Sequence, residues 1–529
     1  MSYSIKPYDG NRPYAFASYA HADKDIVMSV LDKLVNENHF RIWYDSGLHS
    51  GDDWSEKLTS KINHSTAFIV FLSPNSITSR HVVSEISIAF ANEKIKVIPI
   101  WIDVPVPLSA NLTYYLSFTQ HAFANTKTQP TIDQIVNELG NSIPDSVKDT
   151  TRIENGVITT CEDNIQELIV TDGIIEIADG VCKNKKKLHT VKFGKDLVRI
   201  GREAFRNCVN ISEVFIPHNI RYLGDSAFRD CVNITELKIE NEIELGERAF
   251  ENCRNLKKVT LPKDLKEIYS GLFNSCKALK EIKLPKGLVA IGDNAFGSCD
   301  ALEKIDIPDT VARIDDAAYV GCVSISEVDI PEGVYKIGKN VFKDCANLKR
   351  ISLPASLVKM DTGSLRGCIS LENIEINPRN KHYKAFDSIM FNKNKSKLIC
   401  YPPVKPNEVY EIPDSVSEIE DWAFAHANKL KNVIIPDSVQ RIGEGAFFHC
   451  ENLERIVIPY SVETIDDTAF RGCVNLREVY IESKTIKDLG WGIFYGCPED
   501  LVVYYCSEIV KKYCKNQIFK SSPFELDVE

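Results

Sequence analysis

Two patterns of apolar residues divide the chain. In the first 145 residues, short apolar runs alternate with stretches of helical period. The runs are YAFASY at 14–19, FRIWY at 40–44, AFIVFL at 67–72 and VIPIW at 97–101. They barely alternate between polar and apolar, as strands buried on both faces do. Ile26, Val27, Val30, Leu31 and Leu34 recur at helical spacing within residues 22–38. Residues 54–65, 82–92 and 131–139 read as further helices. Such alternation predicts a parallel sheet with helices on both faces, and ligands bind such sheets beyond the carboxyl ends of the strands. That edge carries residues 18–23, 45–53 and 73–80.

From about residue 165 to 505 the chain repeats itself. Cysteines fall at 208, 231, 253, 276, 299, 322, 345 and 368, in steps of 23 with one of 22, and resume at 450, 473 and 497. An aromatic residue stands three positions before nearly all of them, as Phe205, Phe228, Tyr319 and Phe447 do. The unit reads IPxSVxxIGxxAFxxCxNLxxIx. Self-similarity at this period marks a leucine-rich-type solenoid of about 23-residue coils. The NLxxIxI run supplies a strand, and the proline after it ends the ladder because it cannot donate. One coil cannot bury its apolar face alone, so stacked coils share one continuous core. Residues 377–411 break the period and predict two further strands and a proline-rich turn, inserted at a coil.

Composition narrows the class. The 529 residues are 44% hydrophobic and 26% charged, ordinary globular proportions that exclude bulk disorder. A net charge of -11 argues against a nucleic-acid binder, and the short basic run at 183–187 reads as a solvated face. No window holds the roughly 20 apolar residues needed to span a bilayer. The start has no apolar secretory segment. A cytoplasmic location is therefore expected, with the sixteen cysteines as thiols. No metal is expected either. Zinc sites need close pairs such as CxxC, whereas these cysteines lie one coil apart.

The sheet edge shows no GxGxxG, no GxxxxGK[ST], no HExxH and no GxSxG. What remains is Glu85, set inside the apolar helix VVSEISIAFA. A buried carboxylate costs free energy unless it is paired or functional. An ion-paired or solvated glutamate near a helix start is the plainer alternative.

The segments YAFASYAHADKD, RIWYDSGLHSGDDW, FIVFLSPNSITSRHVVSEI and KVIPIWID, in that order, resemble a Toll/interleukin-1 receptor (TIR) domain. The repeats resemble the BspA-like class of leucine-rich repeats, which bind proteins. Together these resemblances imply an α/β fold: a flavodoxin-like TIR domain with a parallel five-stranded sheet, then a leucine-rich-repeat solenoid. The implied boundaries are 1–145 for the TIR domain, 146–164 for a linker and the start of the solenoid, and 165–529 for the solenoid, with its insertion at 377–411.

The TIR resemblance places Glu85 on the glutamate with which enzymatic members cleave NAD at the nicotinamide–ribose bond. It implies that Ser18 and Tyr19 flank the nicotinamide-ribose end and that Asp45 and Gly51 shape the mouth. Arg80 would face the pyrophosphate or simply solvent. His81 would join these NAD-contacting residues, but it stands where the family usually has tryptophan, which puts efficient turnover in doubt. Trp43 offers a ring to stack on, but a core position explains it better. NAD would be substrate, with no further cofactor. Other partners would be TIR domains of other copies and an unidentified protein ligand of the repeats, in bacterial innate immunity or antiviral defence signalling. The alternative is a non-enzymatic TIR adaptor or scaffold.

Overall fold

The computed structural model describes all residues except 1–4, 11–12, 46–53, 118, 125, 145–150, 240–241, 362, 516–519 and 524–529. The chain divides into two compact units, Met1–Arg152 and Ile153–Glu529.

In the first unit, β1 (Ala15–Ser18), β2 (Ile42–Tyr44), β3 (Ala67–Leu72) and β4 (Lys96–Trp101) form a parallel sheet in the order β2-β1-β3-β4. Helices α1 (Lys24–Asn36), α2 (Trp54–Asn63), α3 (Arg80–Phe90), α4 (Ala110–Leu116) and α5 (Ile132–Ser142) connect and cover it. The pleat decides which residues meet which helices. Ala67, Ile69 and Phe71 of β3 join a core with Leu31 of α1 and Leu139 of α5. Phe68, Val70 and Leu72 point the other way, into a core with Ile62 of α2, Ile86 of α3 and Leu112 of α4. Both faces are covered, so the strand runs have no polar side. The fifth strand position expected from the resemblance holds a single parallel bridge, Ile100 to Ala122. Helix α4, N-capped by Ser109, was not expected from the sequence.

In the second unit most coils contribute parallel ladders to their neighbours, but residues 279–285 and 302–308, where the repeat pattern predicts strands, form none. Glu213–Ile216 pairs with Glu236–Ile239, with Val214 opposite Leu237 and Ile216 opposite Ile239. A second ladder, unforeseen from the sequence, joins two-residue strands such as Arg199–Ile200 and Tyr222–Leu223. The first such ladder takes in Arg152–Glu154 and Val157–Thr160, within the stretch expected to hold the linker and the start of the solenoid.

The buried rings stack coil on coil: Phe205 on Phe228 at 5.0 Å, and on through Tyr319 and Phe342 at 5.8 Å. From Cys231 onward, the buried repeat thiols donate to the carbonyl of the ring residue one coil back, as Cys231 Sγ does to Phe205 O at 3.1 Å; Cys208 donates to Cys182 O instead. Most turns carry two left-handed residues flanking the ring, such as Glu203 and Asn207, or Asn340 and Asp344, though the turn at Tyr401 does not.

The insertion holds the strands Tyr383–Phe386, Ile389–Asn392 and Lys397–Cys400. The first two pairings are antiparallel, and the third strand then joins Glu418–Ile419 in parallel. There the ring column breaks. Leu365 takes one ring position, and a second column starts at Tyr401, stacked 5.1 Å from Phe424. Helix Glu508–Cys514 and strand Lys520–Pro523 close the array, the strand pairing with Val502–Tyr505. Among the described residues no helix is long and apolar enough to cross a membrane.

Candidate functional site

The strand order reverses direction between β1 and β3, so the crevice at their carboxyl ends is the topological switch point, where such sheets take ligands. Ser18, the last residue of β1, is 1% exposed. Helix α3 follows β3 and starts at this edge. Its N-cap is Ser79, whose side chain accepts from the Val82 N–H. Val82, Ile86 and Ala89 bury one face of the helix, and Glu85 lies among them at 9% exposure.

Ser18 Oγ donates to Glu85 Oε2 at 2.5 Å. Tyr19, the next residue, is half-buried and donates to the Asp45 carbonyl at 3.1 Å. Burial pushes the Glu85 carboxyl up to about 7. The Ser18 hydrogen bond opposes this, while the Asp45 charge adds to it. Burial likewise pushes the Tyr19 phenol up to about 12, with Asp45, Tyr44 and Glu85 adding. Ser18, Tyr19, Asp45 and Glu85 thus form one electrostatic neighbourhood. Near neutral pH its carboxyl can change charge, so it can hold a proton or face a developing cation.

Arg80 and His81 are exposed on the first turn of α3. His81 shares the face of Glu85 one turn nearer the mouth, whereas Arg80 lies about 140° away around the helix. Gly51 lies in residues 46–53, outside the described residues. Trp43 is core, stacked on Phe16 at 4.9 Å.

One set of residues escaped the sequence reading. Asp23 is buried and accepts from Ser73 Oγ at 2.5 Å and from Asn75 Nδ2 at 2.7 Å. Ser73 Oγ in turn accepts from the backbone N–H groups of Asn75 and Ser76. This carboxylate ties the turn before α1 to the loop that launches α3. The turn chemistry of Ser73-Pro74-Asn75-Ser76 was a signal for that loop, but nothing in HADKD marked Asp23 as buried. Among the described residues no group of three His, Cys, Asp or Glu could hold a metal ion.

The TIR domain family matches residues 16–136, and the BspA type leucine rich repeat region matches residues 151–280, 266–397 and 406–524. A leucine-rich repeat protein from Bacteroides ovatus is 23% identical, with a TM-score of 0.44, covering 72% of this chain and 98% of its own. One from Eubacterium ventriosum is 24% identical, with a TM-score of 0.41, covering 56% of this chain and 66% of its own. A leucine rich cell surface protein from Faecalibacterium prausnitzii is 23% identical, with a TM-score of 0.44, covering 67% of this chain and 92% of its own. No curated protein matches the chain.

Proposed function

The chain belongs to the BspA-type leucine-rich repeat family and carries a TIR domain ahead of the repeats, and from that premise we propose that it is an NAD hydrolase controlled by a protein-binding solenoid. The observation that supports this most directly is the buried Ser18–Glu85 pair at the switch point. Cleavage breaks the bond between ribose C1′ and the nicotinamide nitrogen. The electron pair leaves with nicotinamide, which is already cationic in NAD and so departs neutral without a general acid. The ribosyl group becomes an oxocarbenium-like cation. Ionised Glu85 stabilises that charge, and a cationic substrate favours the ionised form of a carboxyl titrating near 7. Ser18 holds the carboxylate in place. Water then adds to C1′ and releases a proton, giving ADP-ribose; capture by an internal nucleophile would give a cyclic form instead.

On this reading the protein acts in the cytoplasm. The repeats bind a protein trigger, binding clusters TIR domains of several copies, and NAD loss or its product is the output in bacterial defence. A second reading, a non-enzymatic adaptor, is favoured by one observation: His81 occupies the place of the family's tryptophan and lies exposed.

The test is nicotinamide release from NAD by the full chain and by Glu85→Gln, each at low and high protein concentration. Release that disappears with Glu85→Gln supports the hydrolase. If the crowded protein releases none, and His81→Trp does not restore it, the adaptor reading stands.

A further inference from the structure

Early and late coils treat one surface row differently. Arg206 directly follows the core ring Phe205 and is closed off by carboxylates. It pairs with Glu203 and lies 3.4 Å from Asp230, and Glu203 also holds Lys183 at 2.6 Å. In the coils flanking and following the insertion the same row contains Arg366, Phe448, Arg471 and Tyr495. Neither Arg366 nor Arg471 forms an ion pair among the described residues. Both rest on rings instead. Arg366 lies 3.4 Å over Trp422 and 5.5 Å from Phe448. Arg471 lies 5.9 Å from Phe448 and 5.0 Å from Tyr495. Two guanidinium groups therefore flank one phenyl ring with no ion pair formed, although Asp344 and Glu444 act on Arg366 from farther away. His426 and His449 stack at 5.6 Å beside the same ring. The stripe ends on Trp491 and Tyr495, 70% and 59% exposed.

These rings have built seats. Trp422, His426 and His449 occupy the left-handed positions that recur from coil to coil, with φ of 63°, 63° and 51°, where most other coils place Gly, Asn, Asp or Ser. Left-handed backbone is costly for bulky residues and persists where the surroundings enforce it. A Cβ at Gly445 would fall 2.3 Å from the Trp422 ring, and one at Gly472 would fall 2.8 Å from the His449 ring. Two glycines thus clear the space that the rings fill.

The charge pattern selects the partner. Unpaired arginines on a chain of net charge -11 call for an anion. Exposed Trp491 and Tyr495 beside half-buried Arg366 and Arg471 give the Trp, Tyr and Arg composition of interface hot spots. A polyphosphate backbone fits poorly, because Asp421, Asp466 and Asp467 border the stripe and would repel it. Asp421 and Asp466 are held by Arg441, and Asp467 caps the Trp491 N–H. Separate carboxylates on a peptide can reach each arginine without crossing that border.

We propose that the stripe from Arg366 to Trp491 docks an acidic, aromatic-containing protein segment, whose carboxylates pair with Arg366 and Arg471 while its rings pack on Phe448 and Tyr495. This deepens the reading of the solenoid as a protein sensor and is independent of NAD chemistry, so either idea can fail alone.

The test uses immobilised full chain and three soluble probes at low salt: a random copolymer of glutamate and tyrosine, polyglutamate, and a thymidine 20-mer. The copolymer should bind most tightly and lose about tenfold or more in affinity with the double variant Arg366→Glu, Arg471→Glu. Urea unfolding checks that the double variant is folded; if its midpoint falls, Arg471→Gln takes its place, and a drop of about threefold is expected. Unchanged copolymer affinity in the variants overturns the proposal, as does an absence of copolymer binding. Tighter binding of the thymidine 20-mer overturns it in favour of nucleic acid.

Discussion

Ser18 Oγ donates a 2.5 Å hydrogen bond to Glu85 Oε2, joining the end of β1 to the buried face of α3. A hydroxyl donating to a carboxylate favours its charged form, while burial disfavours it. The balance leaves the carboxyl titrating near 7, and the bond is the easiest weight to remove.

If Glu85 must be ionised for nicotinamide release, the rate rises with pH through a midpoint at about 7. Ser18→Ala removes the group that favours the anion, so its midpoint should move to higher pH. A pH profile of both proteins decides this. A rate already flat above about pH 5 would assign the chemistry to another group.

Stability should carry the same signature with the opposite sense. Below pH 4.5 the carboxyl is protonated in both folded and unfolded chains. Between 4.5 and about 7 the unfolded chain releases a proton that the folded chain keeps, so stability falls as pH rises. The full loss is about 3 kcal/mol for a group shifted this far. Glu85→Gln cannot ionise and escapes it. Urea unfolding of the TIR unit within the full chain should find the two proteins similar at pH 4.5 and the variant more stable at pH 8. Equal stability at both would mean that the carboxyl is solvated.

Asp23→Ala leaves the Ser73 hydroxyl and the Asn75 amide without their acceptor. A loss of about 2 kcal/mol is expected from the urea transition. The N-terminus of α3 is launched from that loop, so nicotinamide release should fall as well. Asp23→Asn, which keeps an acceptor, should restore part of both.

Tyr319 places a hydroxyl inside a column of phenyl rings, and that oxygen has no hydrogen-bond partner. Tyr319→Phe removes the unmet polar group and keeps the stack. The solenoid should gain about 1 kcal/mol in denaturant unfolding. A loss would indicate that the hydroxyl finds water.

The sequence displayed features that repeat or interrupt. The Phe and Cys phase gave away the coils because one packing solution recurs in each, and Glu85 stood out as the one carboxylate in an apolar helix. The second ladder was hidden because two-residue strands are too short to show a period. Helix α4 follows a proline-broken stretch whose few apolar residues make no clear face. Asp23 looked like any solvated charge, since burial of a lone carboxylate depends on what another loop brings to it. The Arg366–Trp422 contact bridges an insertion, and no spacing rule connects residues on either side of one.

The thiol column has a consequence for how the array can be watched. Burial raises the pKa of Cys231, Cys253, Cys299 and Cys322 far above neutrality, so a closed coil offers almost no thiolate. Reaction with a disulfide reagent then requires a coil to open. Nearly every coil carries its own gauge, the coil with Ala427 in the cysteine position excepted, and the order of labelling along the chain records where opening begins. Half-buried Cys400, Cys497 and Cys506 should report first, the last two near the closing helix. The break in the ring column between Phe342 and Tyr401 should divide the remaining signals into two groups that rise separately.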